Sequence, residues 1–307
     1  MSQPIIEFRN FKKAYRAGFL GRPAVAVKNL DLSVPAGCIY GFLGANGAGK
    51  TTSIKVLMGL QFADAGEVKV FGLNPQDPAA KQRIGYLPER PYFHDSMDAN
   101  AFLNFHRNLF GALPADRRPM PNAELLALVG LSDVGTKSLK SYSKGMLQRM
   151  GIAQALVNDP DLVVLDEPMS GLDPVGRREM RDILLRLHGL GKTLFFSSHI
   201  LSDVEEICDR IAFLEKGSLK HELNLSDIAS AGERGFELLF TGAAAASLDG
   251  RTGEAKGNEE FSYLAKDQAE VKRLTEEAFR QGAMLRSCHP RRPSLEEFLF
   301  GKTGEKR

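Results

Sequence analysis

Apolar residues recur at two different spacings along this chain, and the spacing changes several times. Residues 5–8, 25–30 and 39–43 are short β-rich runs, the last preceded by the turn Pro35-Ala36-Gly37. Residues 50–60 then carry Ile54, Leu57 and Met58 at helical spacing, with Gly59 near the end. A further strand is predicted over 67–71, followed by a helical pattern from about 100 to 141 that contains a Pro/Arg-rich loop at 113–121. Leu162-Val163-Val164-Leu165 is a continuous apolar run, as expected of a central parallel strand covered on both faces. Residues 194–197 and 211–214 predict two more strands, with a helix over 177–188 before the first of them. Strands alternating with helices predict an α/β sheet.

Beyond residue 219 the texture changes. Strands are predicted over 236–240, 261–265 and 284–288, and a charged helix over 268–281 with Val271, Leu274 and Ala278 on one side. Ser294-Leu295-Glu296-Glu297 is a capping box for a last short helix, and the Gly-, Ala- and Asp-rich stretch 243–258 reads as a loop. The organisation expected is a first domain over 1–219, its helical part at about 89–141, and a small α+β appendix over 220–307.

Composition narrows the functional classes. A chain of 307 residues with 43% hydrophobic and 25% charged residues suits one large folded core with an appendix. A net charge of +2 gives no concentrated basic surface, so nucleic acid is not an expected partner. The pairs Arg117-Arg118 and Arg291-Arg292 read as solvated loops. Cys38, Cys208 and Cys288 lack metal-type spacing and read as reduced cysteines of a cytoplasmic protein. Glu7, Arg9, Lys12 and Lys13 interrupt any N-terminal leader, and no run approaches the ~18–20 apolar residues of a membrane helix. The expectation is a chain that neither spans a membrane nor is exported by the usual route.

The chemistry lies where strands end. Gly44-Ala45-Asn46-Gly47-Ala48-Gly49-Lys50-Thr51 fits the pattern G-x-x-x-x-G-K-[ST] in full, between a predicted strand and a predicted helix. Glycines let successive N–H groups point inward at phosphate, and the helix N-terminus favours an anion. Lys50 would reach the β- and γ-phosphates of ATP, and the Thr51 hydroxyl would ligate Mg²⁺. Asn46, Gly47, Ala48, Gly49 and Thr52 complete the expected ATP-binding loop. Asp166-Glu167 closes the apolar run 162–165, at the carboxyl end of a buried strand where α/β sheets bind ligands. Alone these would suit two solvated acids. After a phosphate loop, Asp166 is expected to hold Mg²⁺ and Glu167 to polarise an attacking water.

These features leave several P-loop NTPase families open. Ser141-Tyr142-Ser143-Lys144-Gly145-Met146-Leu147-Gln148-Arg149 chooses between them, because it resembles the signature motif of ATP-binding cassette (ABC) proteins. Ser170-Gly171-Leu172-Asp173-Pro174 and His199 follow in the family's order, and the resemblance covers residues 4–220. The chain is thus identified as resembling the ATP-binding subunit of an ABC transporter, with the P-loop NTPase (ABC ATPase) fold. The resemblance implies that Tyr15 stacks on adenine, though a half-buried strand tyrosine is the plainer alternative. It implies that Asp173 couples the two sites of a dimer and that His199 contacts the γ-phosphate and orients the water. A longer loop than the family minimum is expected over 16–24.

Two departures stand out. The family's signature has Leu-Ser-Gly-Gly-Gln where this chain has Tyr142-Ser143-Lys144-Gly145-Met146, keeping Ser143 and Gly145. The family has glutamine where Glu89 stands in Ile84-Gly85-Tyr86-Leu87-Pro88-Glu89. A carboxylate can also ligate Mg²⁺, but its charge would repel phosphate. Both variants, and the tail Pro293-Ser294-Leu295-Glu296-Glu297-Phe298-Leu299, resemble the subfamily serving ABC-2 type exporters of drugs, lipids, polysaccharides or ions.

The resemblance implies a head-to-tail homodimer, with Ser143 and Gly145 of each copy over the ATP held by Lys50 and Thr51 of the other. It also implies a separate integral membrane permease, engaged near Glu89 and the following helices, and a peripheral place on the cytoplasmic face of the membrane. The alternative is a non-transport ABC ATPase acting as a regulatory or translation- or DNA-associated switch. One cassette, no long heptad run and no zinc-type cysteines argue against it.

Overall fold

The computed structural model describes residues 3–16, 23–230, 235–291 and 295–300. Two compact units divide between residues 224 and 225.

The first unit is built on one sheet: β1 (Ile6–Arg16), β2 (Pro23–Val34), β3 (Ile39–Gly44), β4 (Ala65–Val70), β5 (Ile84–Leu87), β6 (Leu162–Leu165), β7 (Thr193–Ser198), β8 (Arg210–Glu215) and β9 (Ser218–Asn224). The spatial order is β4-β1-β2-β9-β8-β3-β7-β6-β5. β8, β3, β7, β6 and β5 run parallel to one another. β1 pairs antiparallel with β2 and β4, and β9 returns antiparallel along β8. β3, β6 and β7 are buried along their whole length, as continuous apolar runs require. Phe8, Phe11, Tyr40, Phe42, Ile54, Leu57, Val164 and Phe195 meet in the core, each contributing about 1.5–3 kcal/mol by burial.

Helices α1 (Lys50–Leu57), α2 (Pro78–Lys81), α3 (Ala99–Leu109), α4 (Asn122–Leu128), α5 (Lys144–Ala155), α6 (Pro174–Gly189) and α7 (Leu201–Glu205) connect the strands. Side chains that satisfy free N–H groups begin four of them: Asp77 with Pro78 for α2, Asp98 for α3, Ser143 for α5, and Asp173 with Pro174 for α6. No side chain caps α1, which follows Gly49 directly, so its first N–H groups stay available. α3 and α4 lie in the stretch expected to be helical, and both pack on α5.

Arg117 contradicts the expectation of a solvated loop, while Arg118 is exposed as foreseen. The Arg117 guanidinium donates to both carboxylate oxygens of Asp161, at 2.7 and 2.8 Å, and to the Asp159 carbonyl at 2.9 Å. Arg83 donates to the same Asp161 at 2.7 Å while covering the Phe71 ring at 3.9 Å. Sequence proximity to prolines hid this, because both acids are some forty residues away in the chain. Arg117→Ala should therefore lower stability by about 1.5–3 kcal/mol in urea unfolding, since hydrogen bonds to charged groups carry about that much and these are part-buried. An unchanged midpoint would contradict a stabilising network.

The second unit contains α8 (Leu225–Ser230), β10 (Phe236–Thr241), β11 (Ser247–Leu248), β12 (Arg251–Thr252), β13 (Glu254–Gly257), β14 (Glu260–Ala265), α9 (Gln268–Arg280), β15 (Met284–Pro290) and α10 (Leu295–Phe300). An antiparallel sheet ordered β13-β14-β10-β15 and helix α9 enclose a core of Leu238, Phe240, Leu248, Tyr263, Leu274 and Ala278. Two boundaries differ from expectation. Residues 220–224 belong to β9 and so to the first unit, because their partner strand β8 lies there. The stretch 243–258 is not wholly a loop: it holds the hairpin β11-β12 and the edge strand β13. β13 is exposed throughout, so no buried face marked it in the sequence. Ser294 of the proposed capping box and most of the 16–24 loop fall outside the described residues.

Candidate functional site

Four neighbouring parallel strands, ordered β3-β7-β6-β5, each release a different polar segment from their carboxyl ends. β3 runs into the loop 44–51, β7 into His199, β6 into Asp166 and Glu167, and β5 ends two residues before Glu89. A cavity of about 380 Å³ opens there, in the position where such sheets bind ligands. Asn46, Gly47, Gly49, Lys50, Thr51 and Thr52 line one side, with Glu89, Glu167, Ser170, His199 and Ala26 around the rest.

The loop takes its shape from glycine. Gly49 has φ 106, and a Cβ there would lie 2.7 Å from the Ala26 carbonyl oxygen. Gly44 packs so closely that its Cβ would come 2.5 Å from the Leu214 carbonyl. Ala48 is buried beneath the loop. Lys50 is only 5% exposed. Its ammonium donates to the Gly44 carbonyl at 2.6 Å and the Ala45 carbonyl at 3.3 Å, and lies 3.1 Å from Glu167 Oε1. That last contact is an ion pair off hydrogen-bond geometry, which leaves Oε1 without a hydrogen-bonded partner.

Asp166 and Glu167 face different neighbours. Asp166 Oδ1 accepts from Ser197 Oγ at 2.7 Å and from Thr51 Oγ1 at 3.2 Å. Ser197 Oγ in turn accepts from the Glu167 N–H at 2.8 Å, so one hydroxyl fixes the turn between the two acids. Glu167 stands at φ 51, a conformation costly for a residue with a Cβ and concentrated at functional sites. Its Oε2 accepts from His199 Nδ1 at 2.8 Å. The carboxylate is thereby held between an ammonium and an imidazole.

Burial pushes the Asp166 carboxyl above its ordinary value, and the carboxylates of Glu89 and Glu167 push the same way, against the Ser197 and Thr51 hydrogen bonds. A raised folded-state value stabilises the fold only at low pH, and that contribution is lost as pH rises through it. Asp166→Asn should therefore melt above the wild-type chain near neutral pH, the gain shrinking as pH falls toward the unfolded value of 3.8. A lower melting temperature at neutral pH would contradict this electrostatic reading.

Among the described residues no group of three or more His, Cys, Asp or Glu side chains could cage a metal alone. The Thr51 hydroxyl beside Asp166, with Glu89 on the same cavity, instead offers a few hard oxygens. That donor set fits Mg²⁺, which keeps most of its water and phosphate ligands.

Not every expected residue lines this cavity. Tyr15 is 38% exposed on β1, and its hydroxyl donates to Gln61 Oε1 at 2.5 Å and lies 3.4 Å from Thr52 Oγ1. Ser143 caps α5, accepting from the Met146 N–H at 3.3 Å, and Asp173 caps α6, accepting from Gly176 at 2.8 Å. Neither these two nor Gly145 lines the cavity of their own chain. Glu89 and Lys144, one residue from each departure noted in the sequence, share a second cavity of about 360 Å³ with Arg90, Gln148 and Ser170. Ser197, Ser170 and Ala26 were not singled out from sequence as site residues. Ser197 carried a signal, a hydroxyl that follows the apolar run Leu194-Phe195-Phe196 near the carboxyl end of β7.

Two of the three cysteines are placed as inert thiols: Cys38 and Cys208 are buried, and burial pushes Cys38 up to about 11, while Cys288 is exposed. No helix among the described residues is long and apolar enough to cross a membrane.

The family profile described as ABC transporter matches residues 27–170. An uncharacterized ABC transporter ATP-binding protein of Synechocystis sp. is 41% identical over 305 residues, covering 98% of this chain and 85% of that protein. The fluoroquinolones export ATP-binding protein of Mycobacterium tuberculosis is 39% identical over 196 residues, 63% of this chain and 64% of that one. Among solved structures, a dimeric ATP-binding cassette in a post-hydrolysis state with ADP and Pi bound superposes with a TM-score of 0.64 at 23% identity, covering 72% of this chain and 98% of that one.

Proposed function

This chain belongs to the ABC transporter family as an ATP-binding, ATP-hydrolysing subunit, and from that premise we propose that two copies close over ATP to drive a separate membrane permease. The observation that carries the reading is the convergence of Lys50, Thr51, Glu89, Glu167 and His199 on one cavity, with Asp166 bonded to Thr51 beside it. In this reading the loop from Gly44 to Thr52 cradles the triphosphate, through backbone N–H groups and the uncapped start of α1. Lys50 neutralises the β- and γ-phosphates. Thr51 and Asp166 hold Mg²⁺, with Glu89 as a further oxygen, and the ion supplies charge neutralisation for the phosphoryl group.

Glu167 takes a proton from the attacking water. The Nδ1–H of His199 orients that carboxylate, which leaves Nε2 to meet the γ-phosphate, a contact made by the ring form that carries an N–H on both nitrogens. Tyr15, on the strand beside Thr52, offers its half-exposed ring to adenine. Ser143, Gly145 and Asp173 lie off their own chain's cavity, which supports their serving the site of a second copy. Hydrolysis then removes the ligand that joins the two chains, and the pair reopens.

The coupling partner is an integral membrane permease engaged near Glu89 and the α3–α4 region, which sets the chain on the cytoplasmic face of the membrane. Export is the direction favoured, on the likeness to a fluoroquinolones export protein. Affinity isolation of the chain from detergent-solubilised native membranes should recover a polytopic membrane protein in comparable amount. Recovery of the chain alone, under conditions that preserve membrane complexes, would contradict the transport reading.

A further inference from the structure

Away from the cavity, three charged side chains join α6 to the segment that follows His199. Arg181 on α6 faces Asp203 of α7 and Glu206 just beyond it, and Arg177 stands one turn earlier on the same helix. Arg181 Nη1 lies 3.6 Å from Asp203 Oδ1, and its Nε lies 2.9 Å from Glu206 Oε2. Arg177 donates from Nε to the Leu172 carbonyl at 3.3 Å, in the turn that leads to Asp173. Asp203 is 2% exposed, and its Oδ2 has no hydrogen-bond partner. Burial raises this carboxyl, while Arg177, Arg181 and His199 act to lower it.

A clamp of this kind is an expensive way to pack two helices, because a buried and incompletely bonded carboxylate costs more than an apolar residue of similar volume. What it holds gives the reason for it. α7 has five residues and cannot persist on its own hydrogen bonding. It begins two residues after His199, and the intervening Ile200 N–H donates to Ser198 Oγ at 3.0 Å. Whatever fixes α7 against α6 therefore fixes the strand end that carries the histidine. α6 in turn starts at its cap Asp173.

We propose that Asp203, paired with Arg181, is a positioning residue for His199 that couples the Leu172–Asp173 turn to the histidine holding Glu167. The inference rests on the ATPase reading of the site and deepens it. A displacement of the turn moves α6, Arg181 carries that movement to Asp203, and α7 shifts His199 against Glu167. The state of the surface around Asp173 is thus reported to the catalytic carboxylate within one chain.

The test is a double-substitution cycle in the full-length chain. Asp203→Asn should lower kcat about tenfold while KM for ATP moves less than about threefold, because positioning acts on the transition state. In a His199→Ala background the same substitution should change kcat by less than about twofold, since groups acting through one another are not additive. Arg181→Met should reproduce the effect and Arg181→Lys should spare most of it, which keeps the test open if one variant folds poorly. A readout free of turnover is the Cε1–H resonance of His199, assigned by its loss in His199→Ala, which should shift in Asp203→Asn. An unchanged resonance, or an equal loss of kcat with and without His199, would overturn the proposal. A wild-type chain that failed to hydrolyse ATP would count against the ATPase reading instead, and the resonance would still decide the coupling.

Discussion

Glu167→Gln is expected to abolish nearly all turnover while leaving ATP bound. Proton abstraction by a positioned side chain contributes about 10²–10⁴-fold, and an amide of the same size cannot supply it. The substitution keeps the volume and some of the hydrogen bonding at a residue fixed by Lys50 on one side and His199 on the other. Binding through the loop and Lys50 should therefore survive, and ATP-bound dimers should accumulate because the step that separates them is blocked. Phosphate release together with size-exclusion chromatography in MgATP reads both effects. Wild-type phosphate release from Glu167→Gln would remove this residue from the role of base.

Lys50→Ala should fail in the opposite way, at binding. The ammonium is buried, and its contacts to the Gly44 and Ala45 carbonyls aim it from the floor of the loop. Losing a charge-assisted contact to phosphate in such a place costs about 1.5–3 kcal/mol, or roughly tenfold to a hundredfold in ATP affinity. The same substitution releases Glu167 from its cationic neighbour, so turnover at saturating ATP falls as well. Titration with a fluorescent ATP analogue separates the two variants: affinity should drop in Lys50→Ala and hold in Glu167→Gln. Equal affinity in both would mean that the lysine does not meet the phosphates.

Much of this site was legible before any coordinates, for a physical reason. The residues from Gly44 to Thr51 must be consecutive to build a phosphate loop, so their spacing survives in one dimension. Asp166 and Glu167 were legible because they end an apolar run, and a strand end in a parallel sheet is a place as well as a pattern. Ser197 was not singled out, because its worth comes from pairing across the sheet: β7 lies beside β6, and the hydroxyl reaches both acids. The ionic network of Arg117 and the clamp of Asp203 were hidden likewise, since each joins segments whose meeting depends on the fold. Strands β9 and β13 mark the other limit. Neither has a buried face of its own, and both exist through the neighbour they pair with.

The placement of Ser143 and Asp173 as caps away from their own cavity makes the account depend on a second copy. Complementation between inactive variants tests that dependence most directly. Lys50→Ala disables a chain as the holder of ATP, and Ser143→Arg disables it as the cover for its partner's ATP. A mixed pair retains one site with both an intact Lys50 and an intact Ser143. An equal mixture should therefore hydrolyse ATP at about a quarter of the wild-type rate, since about half of randomly formed pairs are mixed and each keeps one site of two. A mixture no faster than the average of the two variants measured alone would contradict a site shared between two chains.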